Sequence, residues 1–252
     1  MSRCRLLLPC VLAVLVACSH TPPEPVPDPY RSPLASWVPS DNFESRRPVL
    51  IVLHATEQES VRHSLDTLRD RNSSGRVSAH YLIGDDGHIF QLVADDQRAW
   101  HAGAGSWGGI GDLNNVSIGI ELDNDGREPF TDAQLQSLIK LLDDLTRRLG
   151  IPRTHIIAHA DMAPTRKRDP GAHFPWKQLF DAGFGIWPDA DAAPPPAGFD
   201  PWRALRQLGY ATGNQPATVR AFHRRFRGID DGDDPNAQLD AEDRRILHGL
   251  TR

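Results

Sequence analysis

The 252 residues carry 28 Lys and Arg against 33 Asp and Glu, a formal net charge of -5, with 39% apolar and 24% charged residues. That composition excludes a mainly disordered chain and suffices for one medium domain plus something smaller. With no basic excess it gives no footprint for nucleic acid or for anionic lipid headgroups. Cys4, Cys10 and Cys18 are the three cysteines, so the rest of the chain has neither a disulfide nor a thiolate metal ligand. Any metal site must use His, Asp or Glu.

Arg3 and Arg5 precede an apolar run from Leu6 to Ala17. The run is shorter than the roughly 20 residues that cross a bilayer and suits a signal peptide over 1–17. It ends in Leu15-Val-Ala-Cys18, which resembles the bacterial lipobox. The resemblance implies cleavage before Cys18, lipid attachment to its thiol and, with Ser19 in place of Asp, an outer-membrane lipoprotein facing the periplasm. Acyl chains contribute about 0.8 kcal/mol per buried methylene, so the membrane is expected as a partner through this anchor and not through a spanning helix. Residues 18–35 are expected to be the lipidated Cys, as the resemblance implies, and a tether. From His20 to Pro29 five of ten residues are proline, which favours an extended polyproline path over a packed core.

The body, 36–187, alternates strand and helix signals. Pro48 to His54 is a continuous apolar run, as expected for a strand covered on both faces. A helix follows over roughly 59–71. Ala79 to Ile83 and His88 to Leu92 are short strands joined by Gly84-Asp-Asp-Gly87, a turn sequence suited to a hairpin. Val116 to Leu122 is a further strand. Thr131-Asp-Ala-Gln134 has the capping-box pattern. Leu135, Leu138, Ile139, Leu142, Leu145 and Leu149 then recur at helical spacing up to Gly150. Ile156 to His159 is a last short strand. A second proline-rich break, 188–198, separates a tail of residues 199–252 with three short helical patterns. The expected fold is α/β, a mixed central sheet flanked by helices, with a small C-terminal three-helix domain.

His54 and His159 end the first and last of these strands, with Asp169 in the loop ten residues on. Ligands at strand ends and adjoining loops are what a catalytic zinc site uses, three from the protein and one position left to water. A separation of 105 residues carries no local signature, and a His at a strand end is more often a hydrogen-bonded structural residue. His155 and His159 offer a closer i, i+4 pair, but the stretch lacks the Glu of the helical metalloprotease motif, and its β-branched residues favour a strand.

Five stretches change these odds. Ile51-Val-Leu-His-Ala-Thr56, Val77-Ser-Ala-His-Tyr-Leu82, Arg98-Ala-Trp-His-Ala-Gly103, Asn114-Asn-Val-Ser-Ile-Gly-Ile-Glu121 and the run from Ala158 to Gly171 resemble, in order, the zinc-dependent N-acetylmuramoyl-L-alanine amidase 2 family. The resemblance covers roughly residues 36–182 and implies that His54, His159 and Asp169 hold Zn²⁺. It implies hydrolysis of the amide between N-acetylmuramic acid, or its anhydro form, and L-Ala of the peptidoglycan stem peptide. Glu121 is expected to act as general base, later returning the proton to the leaving amine. Lys167 is expected to stabilise the oxyanion. His80, Trp100, His101 and Asn115 are expected to contact substrate, with Trp100 and the glycine-rich loop after it lining the site. The tail resembles a small three-helix peptidoglycan-binding domain, or else serves as a bundle docked on the catalytic domain. A peptidoglycan-recognition module that binds without cleaving is the competing function.

Overall fold

The computed structural model describes residues 30–42, 46–70, 75–189 and 191–252. The expected signal peptide, the expected lipid attachment at Cys18 and the proline-rich part of the expected tether lie outside the described residues.

The strands are β1 (Ser36–Trp37), β2 (Leu50–Ala55), β3 (Tyr81–Ile83), β4 (Ile89–Gln91), β5 (Ser117–Leu122) and β6 (Ile156–Ala158). They form one six-stranded sheet in the order β1-β4-β3-β5-β2-β6. β5, β2 and β6 run parallel at one end, while β3 and β4 form the antiparallel hairpin. Its turn closes through the Gly87 amide donating to the Gly84 carbonyl at 2.9 Å, with Gly87 at φ 82°, where a side chain would be strained. The sheet is therefore mixed and flanked by helices, as the alternating pattern predicts.

Helix α1 (Val61–Arg69) starts two residues later than the apolar pattern suggests, because Ser60 caps it by accepting from the His63 amide. Helix α3 (Asp132–Leu149) carries the predicted capping box between Thr131 and Gln134 and stops at Gly150 in the left-handed conformation. Leu135, Leu138, Leu141, Leu142 and Leu145 of α3 bury against Ile51, Leu53, Ile118, Ile120 and Leu122 of the sheet. Leu141, outside the predicted stripe, is fully buried, whereas Ile139 and Leu149 lie at the margin. The opposite face of β2 packs Leu50 and Val52 on Ala102, Leu113 and Met162. Three short helices escape the sequence pattern: α2 (Leu113–Val116), α4 (His159–Met162) and α5 (Trp176–Asp181). Four to six residues are too few to show a period.

The tail folds as α6 (Pro201–Leu208), α7 (Gln215–Arg227) and α8 (Ala241–Leu250). Its Leu205, Tyr210, Phe222 and Phe226 belong to the same apolar cluster as the strands. A buried polar lock reinforces the joint. The Tyr210 hydroxyl donates to Asp161 Oδ1 at 2.6 Å, Arg225 pairs with Asp161 Oδ2, and Arg225 Nη2 donates to the Ile156 carbonyl at 2.8 Å. Asp161 belongs to α4 and Ile156 to β6, so the tail holds the segment that carries His159. Because Asp161 is fully buried, Arg225→Leu would leave its charge uncompensated and cost about 3–5 kcal/mol. Urea denaturation would read this, and a loss under about 1 kcal/mol, the range of an exposed pair, would contradict it.

Candidate metal centre and active site

Three elements deliver the site. Parallel pairing sets His54 of β2 opposite Glu121 of β5, so both project from the same sheet face at the carboxyl ends of their strands. Clefts beyond those ends are where open parallel sheets place their ligands. β6 ends at Ala158, one residue before the predicted end, and His159 opens α4. Asp169 follows in a loop fixed by the Ala160 amide donating to the Asp169 carbonyl at 2.9 Å.

The side chains converge. His54 Nδ1 lies 2.9 Å from His159 Nδ1 and 3.2 Å from Asp169 Oδ2, and His159 Nδ1 lies 3.0 Å from the same oxygen. All three residues are buried. Where both Nδ1 atoms present lone pairs, they repel each other and the carboxylate oxygen at these distances. A divalent cation satisfies all of them, since bonds of about 2.0–2.1 Å at tetrahedral angles put ligand atoms roughly 3.3 Å apart. Two nitrogens and one carboxylate oxygen thus fit a metal site in both donor type and spacing.

The electrostatics agree. Burial, followed by the neighbouring His159, lowers the His54 pKa to about 4, so the ring is neutral and free to ligate at pH 7. Burial alone would raise the Asp169 carboxyl, but the neighbouring His159, and then His54, hold it well below the usual carboxylate range.

Glu121 and Lys167 line the same cavity of about 150 Å³, together with the triad, His101, Thr56, Glu57, Gln58, Ser64 and Thr67. Glu121 Oε2 is buried without a hydrogen-bond partner. Burial, and then the charge of Asp169, pushes this carboxyl up to about 8, while Lys167 pulls it down. A buried carboxyl that lacks a partner and faces metal ligands is suited to moving a proton.

Of the remaining sequence candidates, His101 lines this cavity, while His80, Trp100 and Asn115 do not. His101 is buried between His54 and Ser117. His80 accepts from the Gly119 amide at 2.9 Å and reaches the Gln97 carbonyl at 3.0 Å, where burial and the adjacent Arg46 lower its pKa. Trp100 is half-buried with the Arg98 guanidinium 4.4 Å from its ring centroid. Asn115 is exposed on α2. The Asn that matters locally is Asn114, whose Oδ1 accepts from the amides of His101 at 3.0 Å and Ala102 at 2.8 Å. Nothing in an Asn-Asn pair on a four-residue helix distinguishes the inward member. Glu57, also unforeseen, reaches the cavity from a left-handed backbone at φ 53°, a strained conformation for a non-glycine residue.

The Glu121 shift has a consequence for the metal-free protein. A carboxyl that keeps its proton to about pH 8 when folded but releases it near 4.3 when unfolded destabilises the fold as pH rises through that window. Glu121→Gln should therefore gain stability over the unaltered chain between about pH 5 and pH 8 in chelator. Denaturant midpoints across that range would show it, and parallel pH profiles would contradict the assignment.

Comparison with known proteins agrees with this geometry. Residues 44–172 match the Amidase_2 family, described as N-acetylmuramoyl-L-alanine amidase. The N-acetylmuramoyl-L-alanine amidase AmiD of Escherichia coli is 43% identical over 157 residues, covering 56% of this chain and 55% of that protein. The 1,6-anhydro-N-acetylmuramyl-L-alanine amidase AmpD of Haemophilus influenzae is 43% identical over 108 residues, 42% of this chain and 59% of that protein. The chain thus matches little more than half the length of these curated relatives. Among solved structures, Escherichia coli AmiD in complex with anhydro-N-acetylmuramic acid-L-Ala-D-gamma-Glu-L-Lys superposes with a TM-score of 0.70 at 36% identity, covering 82% of this chain and 89% of that one. AmpDh3 of Pseudomonas aeruginosa superposes at 0.69 and 31% identity, covering 82% and 92%. With half of its length matched by the family and the candidate metal-binding triad His54, His159 and Asp169 inside the matched residues 44–172, the chain belongs to the N-acetylmuramoyl-L-alanine amidase family Amidase_2.

Proposed function

We propose that this chain is a zinc-dependent N-acetylmuramoyl-L-alanine amidase that cuts the amide between the muramyl lactyl group, ordinary or anhydro, and L-Ala of peptidoglycan stem peptides. The observation that carries this reading is the buried His54, His159 and Asp169 triad sharing one cavity with the partnerless Oε2 of Glu121. The bound muropeptide of the AmiD complex supports the substrate class. Zn²⁺ suits two imidazoles and one carboxylate without a thiolate.

His54, His159 and Asp169 would hold the ion, which would supply Lewis acidity toward the scissile carbonyl and toward a water that hardly ionises when free. Glu121 Oε2 takes the proton of the attacking water and returns it to the nitrogen of L-Ala, so that the amine leaves neutral. A cation nearby favours the ionised carboxylate that this first transfer needs, opposing the burial that raises its pKa. Lys167, in the cavity wall, offers its ammonium to the carbonyl oxygen as negative charge develops there. The same proposal includes lipid attachment at Cys18, an outer-membrane position facing the periplasm, and a peptidoglycan-binding role for residues 199–252.

Chelator-treated protein should release stem peptides only after zinc is restored. Mass spectrometry of a defined anhydro-muropeptide digest should then show an intact stem beginning at L-Ala. Cleavage inside the stem, or binding without release, would contradict the amidase reading. Glu121→Ala should keep zinc and lose about 10²–10⁴-fold in turnover, whereas Asp169→Ala should lose the metal. Normal turnover in either variant would refute the role given to that residue.

A further inference from the structure

Each imidazole of the triad has a second nitrogen that faces away from the cavity, and both of these meet one short stretch of chain. His159 Nε2 lies 2.9 Å from the Ala102 carbonyl oxygen. A carbonyl accepts only, so Nε2 carries a proton and Nδ1 is the nitrogen left to offer a lone pair. His54 Nε2 lies 3.0 Å from His101 Nδ1. This contact joins two rings that can each donate or accept, so its direction must come from elsewhere.

The direction follows from the far end of the chain of bonds. The Ser117 hydroxyl donates its one proton to the Leu113 carbonyl at 2.5 Å. Toward His101 Nε2, 3.2 Å away, Ser117 Oγ can then only accept. His101 therefore carries its proton at Nε2 and presents a lone pair at Nδ1. His54 must donate from Nε2, which leaves the His54 lone pair at Nδ1, toward Asp169 and His159. We infer that His101 is a positioning residue for the metal centre, holding His54 in the one tautomer that can ligate through Nδ1, with Ser117 and the Leu113 carbonyl fixing the polarity. The inference rests on the metal reading above and gives His101 a task different from substrate contact.

The surroundings of His101 hold its ring in place. Asn114 Oδ1 receives the amides of His101 and Ala102. Gly119 of β5 leaves room for the ring, since a Cβ there would sit 2.4 Å from His101 Cγ. Arg166 donates to the carbonyls of Ala102 at 2.7 Å and Ala104 at 2.8 Å, which anchors the acceptor used by His159. The stretch 101–104 thus supports both imidazole ligands from behind.

The test measures Zn²⁺ affinity of the full chain by competition with a chromophoric chelator, with unfolding curves of the metal-free variants as the control for folding. His101→Leu should weaken zinc binding by about 10–100-fold, the usual effect of losing a partner that orients a ligand. His101→Asn should recover most of the loss, because its Oδ1 can stand where Nδ1 accepts. Zinc binding by His101→Leu equal to that of the unaltered chain would overturn the inference. So would His101→Asn as weak as His101→Leu, since packing and not hydrogen-bond polarity would then be at work. If His101→Leu does not fold, Ser117→Ala decides: a several-fold weakening supports the relay, and unchanged affinity overturns it. Failure of the unaltered chain to bind zinc would remove the metal reading itself, an outcome distinct from the others.

Discussion

Two imidazole nitrogens 2.9 Å apart, both facing one carboxylate oxygen, form an arrangement that a divalent cation among them would satisfy at all three atoms at once. The rest of the molecule can be understood as the means of holding that arrangement. Parallel pairing of β2 with β5 places His54 and Glu121 at the same level of the sheet. The hydrogen bond between Ala160 and Asp169 closes the loop that brings the carboxylate back to His159. Neither ligand could move far without breaking backbone contacts in a close-packed core.

The C-terminal helices take part in this framework. Asp161 lies two residues beyond His159, caps the turn by accepting from the Ala158 amide at 2.8 Å, and is bound from the other side by Tyr210 and Arg225. The Gly108 amide donates to the Gly209 carbonyl at 2.8 Å, and Trp107 packs edge-on to Tyr210 with centroids 4.8 Å apart. The tail thereby braces both the His159 turn and the glycine-rich loop that follows His101. A small helical unit with a modest core of its own gains stability from such docking.

Much of the architecture was legible in the residues. The apolar run of β2, the turn glycines of the β3–β4 hairpin and the capping box of α3 each state a local preference that tertiary packing does not override. The candidate metal ligands stood out only through the family resemblance, because 105 residues separate the imidazoles and spacing says nothing about sheet order. What stayed hidden depends on which way one side chain of a pair turns. Asn114 and Asn115 are chemically identical, yet only the first is buried against the His101 amide. His101 reads equally well as a substrate contact until its two ring nitrogens have partners, and α4 is too short to announce itself. The Asp161 to Arg225 pair joins residues 64 apart, where no sequence period reaches.

The central claim is that His54, His159 and Asp169 share one ion through two nitrogens and one oxygen. X-ray absorption at the zinc edge of the zinc-loaded full chain tests it most directly. The account predicts two imidazole nitrogens and carboxylate or water oxygens at about 2.0–2.2 Å, with no sulfur. A sulfur scatterer near 2.3 Å, or a shell of oxygens without imidazole, would contradict it.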